Sequence, residues 1–327
     1  MTQPGQVETL AQALIDDLTA VVEQITAEPD ALAQQWFTTT VAQRTARLTA
    51  LREDLLALVD QADTIAAARV LSTVQGSYEI GAWTAAIISG TSAAFTSVDV
   101  DAITHIAQDT MTDLLRATTG VREDIKAMIR ELARDQVRAK VTVGKTATQA
   151  GRDLAAALRE RGLTAVVYAN GRSVPLVTYA AMVVRTKTAE AYQEGGFNQG
   201  DRLGVQWWEV MDGPDCGWTS HEDPAKANGM IVDLDTARER PTSHPNCRRS
   251  TSPRPDIVDP DHAAPLAPEA VEAVWDAAVR AYQASTVPAS MSAVGARTSV
   301  GLDLGAGTIP VTAATRKFAA TLRRHSA

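Results

Sequence analysis

Residues 205–221 read VQWWEVMDGPDCGWTSH, and residues 244–249 read HPNCRR. The first stretch opens with a segment rich in β-branched and aromatic residues, which predicts a strand over 205–211 that holds Trp207 and Trp208, and then becomes a polar loop. A second short strand is predicted over 230–234, between the two stretches. Together these patterns predict a small α+β unit built around a loop that carries cysteine and histidine.

The chain upstream of this loop carries a hairpin signal followed by a helix. Residues 164–168 are β-branched and aromatic, and Asn170-Gly171 is a frequent two-residue hairpin turn, with Val174 beyond it. A helix is predicted over 178–195, because apolar side chains recur there along one face. These elements extend the α+β unit toward the N-terminus.

Long helices are predicted for the first third of the chain. Apolar residues recur at helical spacing over 7–27, and Pro29 is expected to end that helix because proline lacks the N–H donor. A second helix is predicted over 31–66. Residues 1–70 carry four basic and ten acidic side chains, so this segment supplies −6 of the net charge of −8. We expect these acidic helices to serve packing or oligomer contact.

Two further helices are predicted before the α+β unit. Asp99 or Asp101 is expected to cap a helix that runs to about residue 118. Gly120 is expected to separate it from a strong helix over 122–140, because glycine weakens a helix interior. The helical pattern therefore continues up to the hairpin signal.

These patterns divide the chain into three predicted parts. Residues 1–119 form a helical N-terminal region and residues 120–256 form the α+β unit. Residues 257–327 form a flexible tail rich in Pro, Ala and Ser, with a short helix over 268–285. The predicted fold class is mostly α with a small α+β C-terminal unit, in which a short β hairpin and strands surround the Cys/His loop.

Composition and hydropathy exclude several classes of protein. The chain has 327 residues, of which 45% are hydrophobic, so it can bury a core and is not wholly disordered. Two cysteines exclude a disulfide-dense secreted scaffold. No run of about 20 apolar residues is present, so no membrane span is expected. No signal-peptide pattern is visible at residues 1–8, and we expect synthesis in a reducing cytoplasm.

A row of basic side chains follows the predicted helix over 122–140. The row recurs every four residues, so it winds slowly around the helix, and acidic neighbours at helical spacing can pair with it. Two interpretations stay open: a solvated, salt-bridged face, or a basic ridge that contacts a phosphate backbone or an acidic partner. The row consists of Arg122, Lys126, Arg130, Arg134 and Arg138.

Both cysteines lie within one 32-residue stretch, and each has a histidine close by. Cys216 precedes His221, and His244 precedes Cys247. Thiolate and imidazole are the ligands that zinc prefers, and short spacings let one turn supply two of them. The pattern therefore fits a structural Cys₂His₂ zinc site that would clamp the loop between the two predicted strands.

Three alternatives to zinc stay open. The thiols and imidazoles can form a hydrogen-bonded core, or the two cysteines can form a disulfide, which a reducing compartment disfavours. The third alternative is a nucleophile, Cys216 or Ser220, activated by a neighbouring histidine. Asp212 or Asp215 would then orient the imidazole, although no nucleophile elbow accompanies these residues.

Four stretches of the chain together resemble the Mu F-like minor head proteins of tailed phages, most closely the versions in phages of actinobacteria. The resemblance covers about residues 120–252, and the His-Pro-Asn-Cys-Arg sequence after an upstream cysteine is its most specific part. The stretches are RTKTAEAYQEG at 185–195, Trp207-Trp208, the loop at 212–221 and HPNCRR at 244–249.

This resemblance implies a minor structural protein of the phage head that supports head assembly and DNA packaging or delivery. It implies a virion location, at the head interior or the portal vertex, after assembly in the cytoplasm of the bacterial host. Expected partners are the portal and capsid proteins, and packaged DNA through the basic row. Oligomer contact through the N-terminal helices is a further expectation, and contact with a membrane is not expected.

Two other functions are kept as alternatives: a capsid maturation protease, which is a label that some relatives carry, and a DNA-binding packaging accessory. We expect no enzymatic activity, because the chain shows no catalytic motif. Many relatives have a Cys-x-x-Cys pair where this chain has Cys216 and Thr219. We therefore expect His221 to replace the missing cysteine, with structural zinc as the candidate cofactor.

Overall fold

The computed structural model describes residues 3–35, 41–91, 99–138, 165–168 and 170–292. Helices predominate among them, and the strands lie in the second half. Three long helices come first: α1 (Gly5–Gln35), α2 (Val41–Ile88) and α3 (Val100–Arg138). They are followed by the hairpin strands β1 (Ala165–Val167) and β2 (Ser173–Pro175), and by helix α4 (Leu176–Arg202).

The remaining elements flank the Cys/His loop or follow it in the chain. They are β3 (Trp207–Met211), β4 (Ile231–Asp233), α5 (Leu234–Glu239), β5 (Ser250–Pro253), a 3₁₀ turn (Pro260–His262) and α6 (Pro268–Ser292). This arrangement confirms the predicted fold class, mostly helical with a small β region and a Cys/His cluster in the second half.

Strand β3 is the centre of a three-stranded antiparallel sheet with the order β4-β3-β5. Trp208 pairs with Val232 on one side and with Pro253 on the other. Its side chain is fully buried, and its ring meets the ring of Phe197 edge-on at 5.0 Å between centroids. The sheet therefore packs against α4 through aromatic side chains, which holds both ends of the Cys/His loop on a fixed support.

The predicted hairpin is confirmed, and two small elements were missed. Val166 pairs with Val174 across the turn, and Gly171 adopts a φ of 80°, which glycine allows without strain. Strand β5 was missed because its sequence, Ser-Thr-Ser-Pro, is polar, yet all four residues are buried at the edge of the sheet. Helix α5 was missed because only six residues form it, capped by the Asp233 carboxylate.

Two predicted helix breaks are wrong. Helix α1 runs through Pro29 to Gln35, so the second helix begins at Val41 and not at residue 31, and α3 runs through Gly120. A proline costs a helix interior about 3 kcal/mol and a glycine about 1 kcal/mol. On α3, Ala117, Val121 and Ile125 are buried around Gly120, and burial of this apolar face outweighs the cost of the glycine, because most helix stability in proteins comes from tertiary packing. Asp99 caps α3, since its carboxylate accepts the N–H of Ala102 at 3.0 Å.

By packing, the chain divides into two compact units. The first combines Met1–Gln12, Val70–Thr110 and Val183–Ala327, and the second combines Ala13–Arg69 with Met111–Met182. The sheet and the Cys/His loop belong to the first unit. The predicted boundaries at 119/120 and 256/257 follow changes in sequence character and not this division, and they stay a prediction.

The region predicted as a flexible tail contains a packed helix. Helix α6 is longer than the predicted 268–285, and it buries Trp275 and Ala278 within the first unit. Val279 and Tyr282 pack against the cluster formed by Val7, Ile80 and Tyr192. Residues 293–327 lie outside the described residues, and flexibility there stays a prediction.

Candidate metal centre

The loop between β3 and β4 is held in shape by its own hydrogen bonds. The Asp223 carboxylate accepts the N–H of Thr219 at 3.0 Å and that of Ala225 at 2.9 Å, and it also accepts the Thr219 hydroxyl. These bonds lower the pKa of Asp223, with the Thr219 hydroxyl as the largest cause. Lys226 donates to the carbonyl of Asp215 at 3.0 Å. Cys216 and His221 are therefore carried by a loop with a defined backbone.

The His-Pro-Asn-Cys segment forms a tight turn that is joined to α4. The N–H of Cys247 donates to the carbonyl of His244 at 3.0 Å. Asn246 adopts a φ of 62°, in the left-handed region, where asparagine is tolerated better than most residues with a Cβ. Its N–H donates to the hydroxyl of Thr186 on α4 at 3.1 Å.

Cys216, His221 and His244 come together and form a group that can hold a metal ion. The Cys216 Sγ lies 3.8 Å from Nδ1 of His221 and 3.7 Å from Nε2 of His244. All three ligand atoms lie within 4.8 Å of one another. The two imidazole rings stack at 4.0 Å between centroids. Cys216 is buried, His244 is half-buried and His221 is exposed, so the cluster reaches from the core to the surface.

These distances suit tetrahedral zinc. Zn–S and Zn–N bonds of about 2.3 and 2.0 Å at a tetrahedral angle put sulfur and nitrogen about 3.5 Å apart. The Nδ1 of His244 lies 2.9 Å from the carbonyl of Pro245, which fits an N–H at Nδ1 and a lone pair at Nε2, facing Cys216. Metal-binding histidines commonly donate their second ring nitrogen to a carbonyl in this way.

Cys247, the fourth predicted ligand, is not part of this group. Its buried Sγ lies 4.0 Å from Oδ1 of Asp212 and 3.5 Å from the hydroxyl of Ser243. The two cysteines are free thiols, so the disulfide considered from the sequence is not formed. The fold brings three of the four predicted ligands to one point and leaves Cys247 beside Asp212.

The surroundings of Cys216 work against the nucleophile interpretation. The pKa of Cys216 is raised to about 11, first by burial and then by the neighbouring Asp212 carboxylate. Without a metal ion, a thiol with such a pKa is protonated at neutral pH, whereas a nucleophilic cysteine needs a thiolate. A zinc ion at this site would itself deprotonate the thiol. The Asp212 carboxylate is bound by Arg249, and His244 is oriented by a carbonyl, so this arrangement is not a Cys–His–Asp relay.

Arg249, which the sequence did not single out, orders the centre. Its side chain is fully buried, and its Nε donates to Asp212 at 2.8 Å. The guanidinium also donates to the carbonyls of Gly217, Trp218 and Arg240, at 2.8 to 3.1 Å. It thereby joins the β3–β4 loop to the segment that precedes the His-Pro-Asn-Cys turn. Nothing in the sequence distinguishes Arg249 from its exposed neighbour Arg248.

The basic row on α3 is partly engaged within the molecule. The Arg122 guanidinium donates to Asp60 at 2.6 Å and to Asp63 at 2.5 Å, and Lys126 donates to Glu123 at 2.8 Å. The salt-bridged interpretation therefore applies to these two members. Arg130 and Arg134 are exposed, and Arg138 ends the helix, with its side chain outside the described part.

The comparison with known families agrees with the resemblance noted in the sequence. Among the described helices, none combines the length and apolarity that a membrane span requires. No curated protein and no solved structure matched the chain. The family model described as phage minor capsid protein 2 matches residues 17–250, a range that includes the whole Cys/His centre. The chain therefore belongs to the phage minor capsid protein 2 family.

Proposed function

We propose that this chain is a minor structural protein at the portal vertex or on the inner face of a tailed-phage head, where it supports head assembly and DNA packaging or delivery. The match to the minor capsid family carries the proposal. The family supports a structural role in the virion, with other head proteins as partners. The likeness to versions in phages of actinobacteria, and oligomer contact through the N-terminal helices, stay predictions.

The experiment that tests this role compares virions and DNA-free heads from phage with and without the gene. We expect the chain in both particles at a copy number far below that of the major capsid protein, with chemical cross-links to portal or capsid subunits. Loss of the gene is expected to reduce the yield of filled heads. Normal filled heads without the protein, or its absence from purified particles, would contradict the proposal.

The Cys/His centre acts in this role as a structural zinc site. Cys216, His221 and His244 hold the ion, and Cys247 is the proposed fourth ligand because it shares the turn of His244. Bound zinc supplies a cross-link between the β3–β4 loop and that turn, and structural zinc contributes directly to folding stability. Such a link matters in a unit whose sheet has three short strands.

Metal analysis of the purified chain tests the zinc site. We expect about one zinc per chain, and a metal content below about 0.2 per chain would contradict the proposal. Cys216→Ser and His244→Ala are each expected to lower the zinc content and the unfolding temperature. Cys247→Ser tests whether Cys247 is a ligand. If this variant binds zinc with full affinity, the protein ligands are only the three clustered residues.

Contact with packaged DNA is a second role, which the exposed Arg130 and Arg134 favour. Reversing both charges to Glu is expected to weaken DNA binding, and the affinity of the unaltered chain is expected to fall steeply with salt. Arg116→Glu on the same helix is the matched control, because Arg116 is also exposed but already pairs with Asp113. Equal DNA affinity of the double variant and the unaltered chain would contradict this role.

A further inference from the structure

A single side chain on α4 holds the turn that carries half of the candidate ligands. The hydroxyl of Thr186 accepts the backbone N–H of Asn246 at 3.1 Å, across 60 residues of sequence. Thr186 is half-buried on the helix, and Asn246 lies at the surface. The contact joins the turn to a long helix of the same unit, which is a firmer support than a loop.

The held residue is also the one whose backbone is strained. Among the described residues, Asn246 alone has a positive φ without being glycine. A residue with a Cβ adopts this conformation at an energetic cost and keeps it where its surroundings hold it. The N–H that Thr186 accepts belongs to this same residue, so the contact acts directly at the strained point.

The direction of two candidate ligands depends on this point. His244 lies two residues before Asn246, and Cys247 follows it directly. Cys216 lies on the separate β3–β4 loop, so the 3.7 Å distance between its Sγ and Nε2 of His244 depends on the orientation of the turn. A change of backbone conformation at Asn246 would move both ligands of the turn relative to Cys216.

Other groups hold the two ends of segment 241–249, which contains the turn. The side-chain amide of Gln193, also on α4, donates to the carbonyls of Pro241 and Arg249, at 2.5 and 3.1 Å. The Arg249 guanidinium binds Asp212 and thereby holds the start of the β3–β4 loop. Because these buried contacts do not involve Thr186, its loss should disturb the middle of the turn while the unit stays folded.

We propose that Thr186 is a positioning residue of the metal site, which fixes the Asn246 turn so that His244 is already aligned with Cys216 and His221. The same turn carries Cys247, the proposed fourth ligand. The inference rests on the zinc site proposed above. In this role the Thr186 hydroxyl holds the Asn246 turn, which the packing of α4 alone does not require. Loss of a group that hydrogen-bonds a metal ligand typically lowers metal affinity about 10- to 100-fold. Thr186 bonds the residue next to Cys247, so we expect the lower end of that range.

The test is a zinc titration of the metal-free full-length chain, in competition with a chromophoric chelator at constant pH. Thr186→Val keeps the side-chain shape but removes the acceptor, and it is expected to weaken zinc binding about 10-fold. Thr186→Ser keeps the hydroxyl and is expected to bind like the unaltered chain. Thr178→Val removes an exposed hydroxyl elsewhere on α4 and serves as the control.

The unfolding temperature of each metal-free variant separates positioning from a general loss of stability. We expect Thr186→Val to unfold near the temperature of the unaltered chain, and Thr186→Ala provides the same comparison if the valine variant does not fold. Unchanged zinc affinity in these variants, or equal weakening in the Thr178→Val control, would overturn the inference while the zinc site stands. Failure of the unaltered chain to bind zinc would overturn the zinc site and this inference together.

Discussion

At the residue scale, the centre depends on a charged side chain that has no contact with water. Arg249 and Asp212 form an ion pair in which both side chains are almost completely buried, at 0% and 1% exposure. Removing one partner of such a pair is strongly destabilising, because the other charge stays buried without compensation. The stability of the Cys/His loop is therefore tied to a residue outside the candidate ligand set.

Replacing Arg249 by lysine tests this dependence. Lysine keeps the charge but lacks the planar fork, so several of the carbonyls that Arg249 binds would lose their donor. We expect the free energy of unfolding to fall by about 3 kcal/mol, because each buried carbonyl that is left without a donor costs about 1–3 kcal/mol. Denaturant unfolding measures the change, with the exposed Arg248→Lys as the control, for which we expect a change within about 0.5 kcal/mol. Equal stability of the two variants would contradict the structural role of Arg249.

Ionisation of the buried Tyr192 is expected to lower the stability of the folded chain at high pH. Its ring is buried beside Ile80 and Val7, and burial raises its pKa to about 12. An unfolded tyrosine ionises near pH 10, so between about pH 10 and pH 12 the unfolded chain loses a proton that the folded chain keeps. This difference lowers the stability of the folded state as the pH rises through that window.

The expected loss over this window is roughly 2–3 kcal/mol of unfolding free energy from Tyr192. Tyr192→Phe removes the ionisation and is expected to flatten that part of the pH profile, although it also removes the hydroxyl that lies 3.5 Å from Thr84. Denaturant unfolding at a series of alkaline pH values measures the difference. An identical alkaline slope in the two proteins would show that another group carries it.

At the element scale, helices α2 and α4 cross so closely that their contact requires glycine. A Cβ on Gly81 would lie 1.7 Å from the carbonyl oxygen of Tyr192, and one on Gly195 would lie 1.9 Å from that of Tyr78. These are backbone atoms, so a side chain cannot move aside to relieve the contact. The helix on which Thr186 lies therefore has its place set by two residues without side chains.

Gly195→Ala is expected to lower the free energy of unfolding by about 3 kcal/mol or more, because the helices must separate to admit a methyl group. Gly120→Ala, in an exposed part of α3 where nothing lies within 4 Å, is the matched control. It is expected to raise stability by up to about 1 kcal/mol, the difference in helix propensity. A similar effect of the two substitutions on the unfolding midpoint would exclude the close crossing.

At the scale of the whole molecule, the first packing unit extends beyond the range matched by the family. Residues before and after that range complete it: Val7 on α1, and Trp275 and Tyr282 on α6. Glu8 also accepts hydrogen bonds from Arg185 and Arg248, at 3.1 and 3.5 Å. Segments that lie far apart in the sequence therefore complete the unit that contains the candidate metal centre.

A chain that ends at residue 267 tests the contribution of α6. Its loss would expose the cluster around Ile80 and Tyr192 and remove the buried Trp275, so we expect a loss of roughly 3–6 kcal/mol, the value of burying about two large apolar side chains. A chain that ends at residue 292 keeps α6 and serves as the control. Equal unfolding temperatures of the two truncated chains would contradict the packing role of α6.

The sequence predicted the elements that depend on neighbouring residues, and it did not predict the features that depend on distant ones. The hairpin at 165–175 and strand β3 were predictable, because turn preferences and the strand preference of β-branched and aromatic residues act within a few residues. The passage of α3 through Gly120 was not predictable, because distant partners bury its apolar face and outweigh the local cost of glycine. The local preference of Pro29 likewise predicted a break that α1 does not have. Strand β5 was missed for the same reason, since its polar residues are buried only by the fold.

The sequence by itself determined the helical class, the small β region, the family resemblance and the four Cys/His candidates, all of which depend on residue type and short spacing. The tertiary structure alone decided which candidates meet. It placed Cys216 beside His221 and His244, left Cys247 beside Asp212, and brought Thr186 and Arg249 to the centre. The physical reason is that distances between side chains far apart in sequence depend on helix crossings and buried ion pairs, which local patterns do not encode.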